Sequence, residues 1–133
     1  MSGIVNSAGS RSGVIGTTEL DYEEGEFAPH GTNITYNYTG HYQKIGNWVT
    51  CTCDVRGSAS STEADIGGLP FTSSAGNAGG GTVTKQNSTA QAGEVLSIYV
   101  KSTDTHFNIV LADVSKTFLI NETVYCEFTY KIA

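Results

Sequence analysis

The sequence predicts an all-β protein, namely an antiparallel β-sandwich of jelly-roll type preceded by an extended N-terminal arm. Thr, Val, Ile, Tyr and Phe recur at every second position in short runs, and turn residues separate these runs about every ten residues. No stretch after the arm shows the 3.6-residue period of a helix. Strands with one polar face need a second layer over the apolar face, and 133 residues suit one such domain.

Residues 1–20 are predicted to form the arm, and residues 21–133 the β-sandwich domain. The arm is rich in Gly, Ser and Thr, and its few apolar residues follow neither a helical nor a strand period. Because such a segment cannot bury a core of its own, we expect it to lie against another subunit. The predicted apolar anchors are Ile4, Val5, Val14 and Ile15.

An acidic segment joins the arm to the body, with five of the thirteen acids inside eight residues: Glu19, Asp21, Glu23, Glu24 and Glu26. It could be a solvated stretch that aids solubility, a docking site for a basic patch, or a calcium site. The Asp-x-Asp-x-Asp-Gly calcium loop is absent from it. With the apolar anchors, the candidate partner-binding residues include Glu19, Asp21, Glu23 and Glu24.

In the first half of the body, residues 33–39 alternate Ile and Tyr with Asn and Thr, and predict a strand. A short strand at 41–45 follows, and Gly46-Asn47 is typical of a turn. The clearest strand spans 48–56, because one face is entirely apolar. That face consists of Val49, Cys51, Cys53 and Val55.

The second half is predicted to contain four strands, at 82–85, 95–101, 106–111 and 123–132. In the last of them Val124, Cys126, Phe128, Tyr130 and Ile132 point inward. Residues 65–71 contain Pro70 and favour a sheet edge or loop. Residues 73–81 hold four glycines and predict a loop, and 118–120 are expected to close another.

Three cysteines, Cys51, Cys53 and Cys126, give no complete disulfide framework. Their positions in apolar alternations predict three buried free thiols. Two alternatives stay open, a zinc site completed by a histidine and one disulfide to Cys126. Cys-x-Cys is not the usual spacing of zinc ligands, so no metal site is predicted.

Several function classes are disfavoured by composition. The formal charge is −6 and the seven basic residues are scattered, which argues against nucleic acid as a partner. No apolar run approaches the roughly 20 residues of a membrane helix, and no secretory leader is recognised. The sequence has no nucleophile motif near His30, His41 or His106. It also has no paired acids on the predicted strands. We therefore expect a protein that is not an enzyme and needs no cofactor.

Seven aromatic residues could either pack within the sheets or form a glycan-binding face: Tyr36, Tyr38, Tyr42, Trp48, Tyr99, Tyr125 and Tyr130. Cross-strand and core packing is the commoner use of such residues. A glycan-binding face is the functional alternative.

The order of three segments, SGVIGTTELDYEEGEF, GHYQKIGNWVT and GLPFTS, resembles small structural proteins of tailed bacteriophages. The resemblance covers about the first half of the chain, which departs from the pattern at Phe27, Ala28 and the two cysteines of the 48–56 strand. It implies a place in the virion. None of the matched residues resembles a catalytic set.

These observations together favour a capsid decoration protein. It is expected to be a homotrimer on the outer surface of the capsid, bound through its arm to the major capsid protein or other virion subunits. The alternative is the receptor-binding head of a tail fibre that recognises a host surface glycan. A third class, a glycan depolymerase, is disfavoured because no suitable pair of acids is found.

Overall fold

The computed structural model describes residues 21–31, 34–35, 39–57, 63–76, 78–85, 96–111 and 123–133. This part of the chain contains ten strands, all paired antiparallel, and no helix. They are β1 (Tyr22–Phe27), β2 (His30–Gly31), β3 (Ile34–Thr35), β4 (Gly40–Ile45), β5 (Trp48–Gly57), β6 (Glu63–Gly67), β7 (Gly79–Lys85), β8 (Leu96–Val100), β9 (Phe107–Leu111) and β10 (Thr123–Lys131). The predicted all-β, sandwich-like fold class is confirmed.

The strands form one continuous sheet in the order β1-β4-β5-β10-β7-β8-β9-β6-β2, and β3 pairs with the far end of β5. The two outermost strands, β1 and β2, are separated in sequence only by Ala28 and Pro29. The sheet therefore has to curl until its two ends approach each other. Its inner face encloses a single hydrophobic core.

The longest strand pairing is that of β5 with β10, which runs over nine consecutive residue pairs. The predicted alternation is confirmed, since the inward residues of both strands are buried and their neighbours are not, apart from Thr123 at the start of β10. Aromatic rings extend the core, with the centroids of Phe107 and Phe128 only 4.4 Å apart. Ile132, also predicted to point inward, is partly buried.

Gly79–Gly81 was predicted to be loop, and this prediction is wrong because β7 begins at Gly79. A Cβ atom on Gly81 would lie 2.0 Å from the carbonyl oxygen of Glu127 and 2.5 Å from the Cα of Phe128. Only glycine lets β7 lie against β10 in this way. The glycines that suggest a loop in the sequence thus permit a close strand pairing.

Other boundaries follow the prediction more closely. β4, β5, β8 and β9 lie within one residue of the predicted limits at each end. Segment 65–71 contributes to β6, which lies between β9 and the two-residue β2 and ends before Pro70. Of the predicted strand 33–39, Ile34–Thr35 is a strand, and 36–38 lie outside the described residues, as do 118–120.

Strand β1 was not predicted, since four of its six residues, YEEGEF, are Glu or Gly and neither face is apolar throughout. It pairs with β4, and in this pairing each strand places an aromatic ring over a glycine of the other strand. The Phe27 ring covers Gly40, its direct partner, and the Tyr42 ring covers Gly25. The Tyr42 and Phe71 rings are nearly perpendicular, with their centroids 5.3 Å apart. These contacts anchor an otherwise polar edge strand to the core.

Candidate interaction surface

The predicted arm joins the body at Asp21, and the structure shows how this junction is held. The Gly46 backbone N–H donates a 2.7 Å hydrogen bond to the Asp21 carbonyl oxygen. The ammonium group of Lys44 lies 2.8 Å from Asp21 Oδ1, with the Lys44 side chain 11% exposed and that of Asp21 67% exposed. The junction is therefore fixed to the turn between β4 and β5, where Gly46 has a φ of +59°.

The acids of β1 also have partners within the molecule. Tyr42 donates a 2.7 Å hydrogen bond to Glu23 Oε1, and Tyr22 donates one to Glu24. Hydrogen bonding to these carboxylates raises the pKa of both tyrosines. Among the described residues no group of three or more His, Cys, Asp or Glu is placed to hold a metal ion, which leaves the calcium alternative without support there.

Of the candidate partner-binding residues, the structure therefore describes Asp21, Glu23 and Glu24, and each has an intramolecular partner. The others lie outside the described residues: Ile4, Val5, Val14, Ile15 and Glu19. Their role remains a prediction from the sequence.

Beside the junction lies an exposed apolar group that we call the tip patch, formed by Tyr22, Ile45 and Trp48. Tyr22 pairs with Ile45 across β1 and β4, and Ile45 pairs with Trp48 across β4 and β5, so the three side chains adjoin on one face. They are 47%, 54% and 51% exposed. Large apolar groups clustered on a surface are typical of contact sites. The tip patch starts at the residue that follows Asp21.

The same outer face carries a polar groove of about 570 Å³ next to the tip patch. The register places Glu26, His41, Thr52 and Glu127 in one row across β1, β4, β5 and β10. A second row contains Glu24, Gln43, Thr50 and Thr129, in which the Thr50 and Thr129 hydroxyls lie 3.0 Å apart. This surface offers carboxylate, amide, hydroxyl and imidazole groups for hydrogen bonding.

The aromatic residues considered for glycan binding separate into different environments. Tyr130 is buried and donates a 3.1 Å hydrogen bond to the Phe71 carbonyl oxygen, and Tyr42 is half-buried. Trp48 and Tyr99 are exposed, Tyr125 is half-buried, and Tyr36 and Tyr38 lie outside the described residues. Sequence reasoning missed Tyr22 and Ile45, because their grouping with Trp48 depends on a strand that the sequence pattern does not predict.

The three cysteines are free and buried, as predicted. Burial raises the pKa of the Cys51 thiol, and a hydrogen bond with Cys53, together with burial, raises that of Cys126. A thiol with a raised pKa is a poor nucleophile at neutral pH. The disulfide alternative is wrong, since Cys126 is a free thiol. No described histidine forms a group of three or more potential metal ligands with the cysteines, which leaves the zinc alternative without support in this part of the chain.

His106 and Asp104 form the one described histidine–carboxylate pair, with 2.7 Å between Nδ1 and Oδ1. Hydrogen bonds from His106 and from the Thr105 backbone N–H lower the pKa of Asp104. Ser73 lies nearby, but its hydroxyl donates to the Lys101 carbonyl oxygen and accepts a 3.1 Å hydrogen bond from the Asp104 backbone N–H. Both hydrogen bonds of the Ser73 hydroxyl are therefore made with backbone groups of this loop.

Comparison with known proteins adds no assignment to this geometry. No family model, no curated protein and no solved structure matches the chain. Separately, none of the described residues belongs to a helix long and apolar enough to cross a membrane.

Proposed function

We propose that this protein is a structural protein of a tailed-phage virion, and that it is a capsid decoration protein which binds and stabilises the assembled shell. Its partners are the major capsid protein or neighbouring virion subunits, and it acts as a homotrimer on the outer surface of the capsid. The starting point is the resemblance of the first half of the chain to phage structural proteins.

The observation that carries the proposal is the position of the tip patch beside the arm junction. Asp21 is tied to the β4–β5 turn, and Tyr22, Ile45 and Trp48 are exposed immediately next to it. An arm that leaves the body here and the apolar surface beside it can contact the same partner. A contact surface of this kind suits attachment to an assembly, and it requires no reactive group.

The arm and the body would contribute differently to attachment. Fully extended, eighteen residues reach about 60 Å, which is enough to contact more than one neighbouring subunit. Backbone groups of the arm can add to the edge of a partner's sheet, and its four apolar residues can fill pockets. Repeated over a lattice, such contacts sum through avidity. Binding only to the assembled state stabilises that state.

One observation favours a second candidate, the receptor-binding head of a tail fibre. The tip patch places two exposed aromatic rings, Tyr22 and Trp48, next to a groove lined by Glu24, Gln43 and Thr50. Aromatic rings that stack on sugars beside amide, hydroxyl and carboxylate groups are a chemically suitable glycan site. In this candidate the groove is the functional surface and the arm joins the protein to a fibre.

Copy number in purified virions of the phage that encodes the chain separates the two candidates. A decoration protein is expected in hundreds of copies per particle, and a fibre head in tens or fewer. Quantitative mass spectrometry against a labelled standard measures this number. A copy number of tens would contradict the decoration proposal, and absence from the particle would contradict both.

A binding assay then tests the surface itself. Capsids stripped of the protein are mixed with the full chain, with a variant lacking residues 1–18, and with Trp48→Ala, and co-sedimentation is measured. Deletion of the arm is expected to abolish binding, and Trp48→Ala to weaken it. Tyr99→Ala is the matched control, because Tyr99 is also exposed but lies on β8, away from the tip patch. Full occupancy by the arm deletion would refute the proposed attachment.

A further inference from the structure

Three neighbouring strands, β2, β6 and β9, place two histidines on either side of a glycine. His30 pairs with Gly67 across β2 and β6. Ile66 pairs with Phe107 across β6 and β9, so the next position of that ladder sets Gly67 beside His106. Residues in register on adjacent antiparallel strands point to the same side of a sheet. The two histidines therefore flank Gly67 on one face.

Because Gly67 has no side chain, the imidazole rings extend over it from both sides. A Cβ atom on Gly67 would lie 2.8 Å from Nε2 of His106 and 3.0 Å from Nε2 of His30. The two Nε2 atoms are therefore at most about 6 Å apart, which is the sum of these two distances. Residues two strands apart are otherwise about 10 Å from each other in a sheet. Glycine at the central position is what allows the rings to converge.

The other nitrogen of each ring is already engaged with an acceptor. His106 Nδ1 lies 2.7 Å from Asp104 Oδ1, and His30 Nδ1 lies 3.2 Å from the Ala28 carbonyl oxygen. In a neutral imidazole these acceptors place the hydrogen on Nδ1 and leave the lone pair on Nε2. A carboxylate or backbone carbonyl on Nδ1 is the usual support of a histidine that binds metal through Nε2.

We propose that His30 and His106 bind one divalent transition-metal ion, of the class that prefers imidazole nitrogen, between their Nε2 atoms. Zinc and copper belong to this class. Metal–nitrogen bonds of about 2.0–2.1 Å require the two Nε2 atoms to lie some 3–4 Å apart, which small rotations of the rings can provide. His30 is exposed and the His106 side chain is 38% exposed, so an ion and its waters can reach both.

The site has two protein ligands, because no cluster of three or more potential ligands exists among the described residues. Water completes the coordination. His30 lies on β2, the last strand of the sheet, and His106 immediately precedes β9. A shared ion therefore links β2 across β6 to β9, and stabilises this end of the curled sheet by binding only to the folded state.

Titration of the full, untagged chain with Zn²⁺ by isothermal calorimetry tests this proposal. One ion per chain is expected, and His30→Ala and His106→Ala should each weaken binding at least tenfold. Asp104→Ala should weaken it about tenfold to a hundredfold through loss of support for the His106 ring. His41→Ala is the matched control, since His41 is exposed on the outer face of β4 and should bind zinc as the wild type does.

A second measurement separates a site from non-specific binding. Zn²⁺ should shift the ring NMR signals of His30 and His106 and leave those of His41 unchanged. It should also raise the midpoint temperature of thermal unfolding of the wild type but not that of His30→Ala. The proposal is overturned if the wild type shows no saturable binding at millimolar zinc. It is also overturned if either histidine variant binds as the wild type does, or if His41→Ala loses binding equally.

Discussion

Buried thiols on β5 and β10 make the stability of this protein sensitive to alkaline pH. Burial raises the pKa of Cys51, and a hydrogen bond with Cys53 together with burial raises that of Cys126, from an ordinary value of 9.0. In the unfolded chain both thiols ionise near the ordinary value. Above it, the unfolded state holds fewer protons than the folded state, so the free energy of unfolding falls as pH rises. The contribution of the two thiols to the free energy of unfolding is fully present below pH 9 and is lost as the pH rises above it.

The size of the effect follows from the number of thiols. One pH unit corresponds to about 1.4 kcal/mol for each group that is ionised only in the unfolded state. Between pH 8 and pH 10 this amounts to roughly 1 to 2 kcal/mol for each thiol, and about 3 kcal/mol for Cys51 and Cys126 together. A small domain has a free energy of unfolding of about 5–15 kcal/mol, so the loss is readily measured. Burial also raises the pKa of Tyr130, which adds to the decline above pH 10.

Urea unfolding followed by circular dichroism at pH 7, 8, 9 and 10, under reducing conditions, measures this decline. The double variant Cys51→Ala/Cys126→Ala starts from a lower stability at pH 7, because it leaves cavities. Its free energy of unfolding should nevertheless fall about 3 kcal/mol less than that of the wild type between pH 8 and 10, and each single variant should show about half of this difference. Parallel pH profiles for wild type and double variant would refute the reasoning.

Three further predictions concern packing. Gly81→Ala should lower the free energy of unfolding by about 3 kcal/mol or more in urea unfolding, because the new Cβ would meet backbone atoms of β10 at 2.0 and 2.5 Å. A decrease in the free energy of unfolding below about 1 kcal/mol would show that β7 can move away from β10. Tyr130→Phe should cost about 1–2 kcal/mol by the same assay, since the Phe71 carbonyl oxygen loses its donor, and unchanged stability would mean that water replaces the hydroxyl. A thiol reagent should modify none of the three cysteines in native protein and all three in denaturant; rapid modification of the native protein would contradict their burial.

Local sequence patterns were sufficient to predict β5 and β10. The alternation in 48–56 and 123–132 identified β5, β10 and the buried face of each, including all three cysteines. A period of two over eight or more residues is a local property that tertiary contacts rarely override. The same reasoning failed for β1, whose side chains are mostly polar, and for Gly79–Gly81, where glycine was interpreted as a loop signal.

Local sequence patterns predicted less about the candidate surfaces. The sequence singled out Asp21, Glu23 and Glu24 as partner-binding residues. All three have partners inside the molecule, through the ion pair with Lys44 and the hydrogen bonds from Tyr42 and Tyr22. The tip patch depends on the register of β1 with β4, and the histidine pair depends on two strand pairings that involve β6. No spacing along the chain indicates these neighbours.

The amino-acid sequence alone determined the all-β class, the turn at Gly46 and the inward faces of β5 and β10, because each depends on the side chains of a few consecutive residues. Only the tertiary structure decided that β1 and β2 end the same curled sheet, that a row of glycines pairs with β10, and that His30 and His106 meet over Gly67. Strand order depends on which distant segments pair. The backbone hydrogen bonds that join them use the same donor and acceptor at every residue except proline, so they leave no signal in either segment that identifies its partner.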